Sequence, residues 1–125
     1  MQVDAQTWRF RRIDIRSPLS SRTWPIARLE LEHPVRGRVT DIGTAPGALD
    51  AAFSAASNIL HVAPRLAAFN VTSAAPAGGT LALHVELDLE LDGAVWRGSS
   101  AGADLVECAV TAWLAAAARA CPAAA

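Results

Sequence analysis

The chain has 125 residues, is 52% hydrophobic and carries a formal net charge of −1. This fits one domain with a core of its own and leaves no electrostatic footprint for nucleic acid or an anionic membrane. No lysine and no tyrosine occur in it, which excludes Schiff-base lysine chemistry, a P-loop lysine and a phenolic acid or base.

Residues 7–16 read as a strand with Trp8 and Phe10 on one face and Ile13 and Ile15 on the other, and the change of phase at Arg11-Arg12 predicts a bulge. Residues 24–32 follow as a strand with Ala27, Leu29 and Leu31 inward. His33-Pro34 ends it, and a third strand runs from Val35 to about Ile42. A helix is predicted from near Pro46 to about Leu60, with Leu49, Ala52, Phe53, Ala56, Ile59 and Leu60 on one stripe. The order then repeats. A strand runs from Pro64 through Ser73, and Pro76 to Gly79 is a loop. Residues 81–91 alternate, with leucines and Val85 on one face and Ala82, His84, Glu86, Asp88 and Glu90 on the other. Asp92-Gly93 is a type I′ hairpin signal, Ala94 to Ser99 is the return strand, and a helix covers about Leu105 to Ala120.

The predicted fold class is therefore α+β, two tandem βββα units related by pseudo-two-fold symmetry, with helices packed on antiparallel sheets. Unit one spans about 6–61, unit two about 62–120, and 121–125 is a short alanine-rich tail of a single 1–125 domain. By sequence, Leu29-Glu-Leu-Glu32 corresponds to Leu89-Glu-Leu-Asp92, and Asp50, Ala55 and Leu60 to Asp104, Ala109 and Leu114. Arginine as the sole strong base, together with the abundant alanine, fits GC-rich coding bias.

Few motifs carry chemistry. Asp104-Leu-Val-Glu107 has capping-box spacing: the Asp104 carboxylate would accept the third helical N–H, and Glu107 would reach back to the Asp104 N–H. His33, His61 and His84 are scattered with no paired metal spacing, so no metal or cofactor is expected. His84 and Glu86 share a strand face, and with Asp50 and Cys108 they are the weak candidates for catalysis. The plainer readings are a solvated or interface face for the strand residues, a helix start for Asp50 and a core position for Cys108. Cys108 and Cys121 make no disulfide framework. No apolar run reaches the roughly 18 residues of a membrane span. The N-terminus has no apolar signal core, which sets a cytoplasmic location as the default.

Gly43-Thr-Ala-Pro-Gly-Ala-Leu-Asp-Ala-Ala-Phe53 and Ser100-Ala-Gly-Ala-Asp-Leu-Val-Glu-Cys-Ala109 each end an extended segment and open a helix. Together they resemble the carboxy-terminal regulatory (dimerisation) domain of 2-isopropylmalate synthase and citramalate synthase, over about Gln6 to Ala120. The first loop is similar to the family's Ala-Thr-Gly-x-Gly-Pro-Val-Asp-Ala, with Ala45 at its first glycine and Ala48 at its proline. Leu66 to Ser73 is similar to the strand Leu-x-Asp-Tyr-x-Val-x-Ala, with Phe69 at the aromatic position. The resemblance implies a homodimer that binds a small carboxylate, such as a branched-chain amino acid. Gly47, Leu49, Asp50, Phe69, Thr80 and Ala82 would line the site, and Asp104 and Glu107 would cap the second helix. It also implies a sensor without the synthase's catalytic barrel, for which a synthase catalytic subunit would be the natural partner. Two other readings stand beside it, a small enzyme of a specialised biosynthetic pathway and a purely structural dimerisation module.

Overall fold

The computed structural model describes residues 8–17, 23–74, 79 and 82–120. Unit one comprises β1 (Arg9–Arg16), β2 (Ile26–His33), β3 (Gly37–Thr44) and α1 (Ala48–Leu60). Unit two comprises β4 (Arg65–Ala74), β5 (Ala82–Leu91), β6 (Ala94–Gly102) and α2 (Leu105–Ala120). Each unit is an antiparallel sheet in sequential order followed by a helix, so the fold is the predicted α+β arrangement.

The bulge predicted in the first strand is present. Pairing runs Phe10↔Leu31 and then Arg12↔Glu30, which leaves Arg11 without a partner. The skipped residue brings Phe10, Ile13 and Ile15 to one face, opposite Leu31, Leu29 and Ala27. An alternation that looks broken in the sequence is thus continuous in space. Unit two carries the same irregularity between Leu66 and Ala68. Aligning the two bulges matches Leu29-Glu-Leu-Glu32 to Leu87-Asp-Leu-Glu90, two residues away from the correspondence read off the sequence.

The helices need a correction of their own, three residues in the opposite direction. The buried positions of α1 are 51, 52, 53, 55, 56, 59 and 60. They fall on 108, 109, 110, 112, 113, 116 and 117 of α2, all buried, once Gly47 is matched to Asp104 at the two helix starts. Asp50 therefore corresponds to Glu107 rather than to Asp104. Each pair offers a carboxylate of the kind a helix start favours, which is why residue identity alone aligned them wrongly.

β3 begins two residues later than expected, because Pro34, Val35 and Arg36 form the turn. His33 ends β2 almost fully buried, and its Nδ1 accepts the Val35 and Arg36 N–H groups at 3.1 and 3.3 Å. The Asp92-Gly93 turn has positive φ at both positions (55° and 81°), as a type I′ hairpin requires. α1 packs on β2 and β3, and α2 on β5 and β6. The helices touch one another, and α2 also reaches β1. One continuous core results, in which Leu29, Leu31, Val85, Leu87, Leu89, Val110 and Trp113 are essentially inaccessible. The four tryptophans divide: Trp8 and Trp113 are buried, Trp96 is half-buried and Trp24 is exposed.

The alanines have a packing role. A Cβ on Gly43 would collide with the α1 backbone at Ala51 and Ala55, and one on Gly98 with the α2 backbone at Ala112 and Ala116. Each helix thus lies directly on a bare stretch of strand, which only small residues on both sides permit.

Candidate functional site

The end of β3 and the start of α1 form the candidate site. Gly43 lets α1 come close to the strand. Thr44 Oγ1 donates to the Pro25 carbonyl at 3.0 Å and fixes the exit of the chain. Ala45, Pro46 and Gly47 then turn into the helix. Gly47 is the N-cap, in extended geometry (φ −116°, ψ 157°), and its carbonyl accepts the Ala51 N–H at 2.9 Å. It has no side chain to accept from the first turn. The N–H groups of Ala48, Leu49 and Asp50 therefore have no intrahelical partner, at the positive end of the helix dipole.

The matching position in unit two is closed. Asp104 Oδ1 accepts the Glu107 N–H at 2.9 Å, and its carbonyl accepts the Cys108 N–H at 3.0 Å. The first half of the expected capping box is formed. The return bond from Glu107 to the Asp104 N–H is not. The two helix starts thus differ in one respect that bears on ligands: one is filled by the chain's own carboxylate, and the other is open.

The flanking groups at the open start are of two kinds. Asp50 is exposed on the first turn, close enough that a Cβ on Gly47 would lie 3.5 Å from its Oδ2. Leu49 is half-buried against the core, and Phe53, one turn on, meets Phe69 of β4 edge-to-face with ring centroids 6.3 Å apart. Phe69 pairs with Leu87 on the inner face of its sheet. Gly47, Leu49 and Asp50 are thereby gathered at the helix start, and Phe69 is linked to them through Phe53. Ala82 is elsewhere: it pairs with Ala74 near the far end of β5 and is exposed on the face of His84 and Glu86. Thr80 lies outside the described residues.

The four weak catalytic candidates do not converge. His84 and Glu86 share the outer face of β5, Asp50 stands on α1, and Cys108 is 3% exposed inside α2. Among the described residues, no group of three or more His, Cys, Asp or Glu side chains could hold a metal ion. Asp88, on the face of His84 and Glu86, is engaged by Arg97 through two hydrogen bonds of 3.0 and 3.4 Å. The hydrogen bond and charge of Asp88, with help from Glu86, hold the guanidinium above its ordinary pKa. A depression of about 330 Å³ between Phe69, Asn70, Glu86, Asp88 and Arg97 opens on that strand pair, with no α1 residue in its lining. No described helix is long and apolar enough to cross a membrane.

The sequence reading missed the His33–Trp8 pair, whose rings lie 4.8 Å apart with both residues about 4% exposed. An X-His-Pro turn was its signal. The sequence match of Asp50 to Asp104 also hides that the two N-caps are a glycine, Gly47, and an aspartate, Asp104.

The family model described as LeuA allosteric (dimerisation) domain matches residues 4–121. No curated protein matches the chain.

Proposed function

The chain belongs to the LeuA allosteric (dimerisation) domain family, and on that premise we propose that it is a regulatory domain that dimerises and binds a small amino-acid effector at the start of α1. The observation that carries this is the contrast between the two caps: α1 opens on Gly47 with no side-chain acceptor, while Asp104 occupies the same place in α2. Free N–H groups at a helix start suit a carboxylate.

Asp50 narrows the ligand class. A bare carboxylate at the helix start would be repelled by this side chain, whereas the ammonium group of an amino acid would pair with it. Leu49, Phe53 and Phe69 offer an apolar wall for an aliphatic side chain. A branched-chain amino acid satisfies all three features. A synthase catalytic subunit is the partner that such a domain would regulate, since an effector can bias a partner only through a difference in its affinity for two states.

The test is a thermal-shift panel of leucine, isoleucine, valine and their 2-hydroxy and 2-keto analogues. Saturation at 100 times Kd stabilises the folded state by about 2.7 kcal/mol. A panel in which no member raises Tm contradicts the effector reading and leaves a structural dimerisation module.

A further inference from the structure

Among the described residues, two three-stranded sheets present four edges, along β1, β3, β4 and β6. An edge strand offers unpaired N–H and C=O groups to any other strand, and folds ordinarily guard it. Three of the four are guarded here. On β3, the Ile42 N–H donates to Asp41 Oδ1 at 2.7 Å, and the Ile42 carbonyl accepts from Asn58 Nδ2 of α1 at 2.8 Å. On β6, Arg119 of α2 donates to the Arg97 carbonyl at 2.9 Å, and α2 lies along the strand. β1 carries Arg9, Arg11, Arg12, Asp14 and Arg16, all exposed.

Among the described residues, β4 has no such guard. After Arg65 it runs Leu-Ala-Ala-Phe-Asn-Val-Thr-Ser-Ala without a charge, a glycine or a proline. Among the described residues, neither helix packs along it, and Phe69 meets Phe53 of α1 at its middle. Its bulge falls between Leu66 and Ala68, so the pairing from Ala68 to Ala74 is regular. Val71, on the inner face opposite Val85, is 37% exposed, although its partner is fully buried. At the register positions where β1 carries Arg12, Asp14 and Arg16, β4 has Ala68, Asn70 and Thr72.

We propose that β4 is the strand through which two copies of this chain join, pairing antiparallel with the β4 of a second copy to make one six-stranded sheet. This deepens the dimer reading given above and rests on it. A strand pairing antiparallel with its own copy generates a two-fold axis and an isologous contact. Pairing through β4 sets no like charges against one another, whereas pairing through β1 would bring arginines together. The union consumes the unguarded edge of each copy and leaves the guarded ones, so assembly stops at two. It also continues the apolar inner face, with Phe69 and Val71 beside their symmetry mates.

The test transplants the guard of β1 onto β4. The double variant Ala68→Arg/Thr72→Arg puts on β4 the side chains that β1 carries at the same register, and β1 itself shows that the fold accepts them. Sedimentation equilibrium is expected to show a dimer for the unmodified chain and at least about 100-fold weaker association for the variant, with unchanged far-UV circular dichroism. A dimeric parent with an equally dimeric, folded variant overturns the β4 contact and leaves the dimer reading intact. A parent that is monomeric at every concentration overturns both. Should the variant not fold, amide exchange in the parent decides. Protection of the Asn70–Ser73 amides that rises with protein concentration supports the contact, and protection independent of concentration overturns it.

Discussion

Gly43 of β3 and Ala55 of α1 are in direct backbone contact: a Cβ added to the glycine would sit 2.8 Å from the Ala55 Cα and closer still to its nitrogen. Gly98 repeats the relationship with Ala112 and Ala116 of α2. In both places the obstacle is helix backbone, which cannot swing aside as a side chain could. Gly43→Ala and Gly98→Ala are each expected to cost about 3 kcal/mol or more in urea unfolding. Gly37 (φ 75°) has open space around it, so Gly37→Ala should cost only about 1 kcal/mol, from the backbone angle alone.

His33 serves as an acceptor. Its Nδ1 takes both the Val35 and the Arg36 N–H in a turn that begins on a buried residue. His33→Leu removes the acceptor without removing the volume, and about 1–3 kcal/mol of stability should go with it. His33→Asn keeps a short acceptor and should recover part of that loss. Equal destabilisation by the two, measured in urea, would show that the bonds to the turn contribute nothing.

The caps predict opposite behaviour at the two helix starts. Asp104→Ala removes the acceptor of the Glu107 N–H and should destabilise by about 1 kcal/mol. Gly47 already has extended geometry, and a Cβ there meets Asp50 Oδ2 only at ordinary contact distance. Gly47→Asp should therefore fold normally and change stability by no more than a few tenths of a kcal/mol. It would also place a carboxylate at the proposed position of the effector's carboxylate. Loss of the amino-acid thermal shift, with Tm otherwise retained, is the expected result.

If the proposed amino-acid site is right, Asp50 separates ligand classes. Asp50→Asn keeps the size of the side chain and deletes the charge proposed to pair with the ammonium group. Affinity for leucine or isoleucine should fall about tenfold or more, a loss within the range of one charge-assisted hydrogen bond. The 2-hydroxy and 2-keto analogues, which lack the ammonium group, should bind the variant as well as the parent or better. Isothermal titration of both ligand sets against both proteins checks this, and a uniform change across them would remove Asp50 from ligand discrimination.

Much of the architecture was legible because period-2 and period-3.6 patterns change cleanly along the chain, and because Asp92-Gly93 and His33-Pro34 punctuate it. The internal register was less legible. Leu29 to Glu32 and the longer run from Leu87 to Leu91 both alternate leucine with acid, so a slide of two residues preserves every face. Only the paired bulges at Arg11 and Ala67 remove the ambiguity, and they depend on cross-strand partners. Gly43 and Gly98 look like ordinary strand glycines until a helix lies on them. The arginines of β1 and the lack of any charge in β4 after Arg65 are plain in the sequence, but which strands are edges is a property of the assembled sheet.

The most direct test of the account is an amide chemical-shift titration with leucine and isoleucine, comparing the two helix starts within one molecule. Shifts that saturate at Ala48, Leu49 and Asp50, with Leu105, Val106 and Glu107 unmoved, are what an open α1 start and an Asp104-filled α2 start predict. Equal shifts at both starts, or none at α1 with any member of the panel, would contradict it.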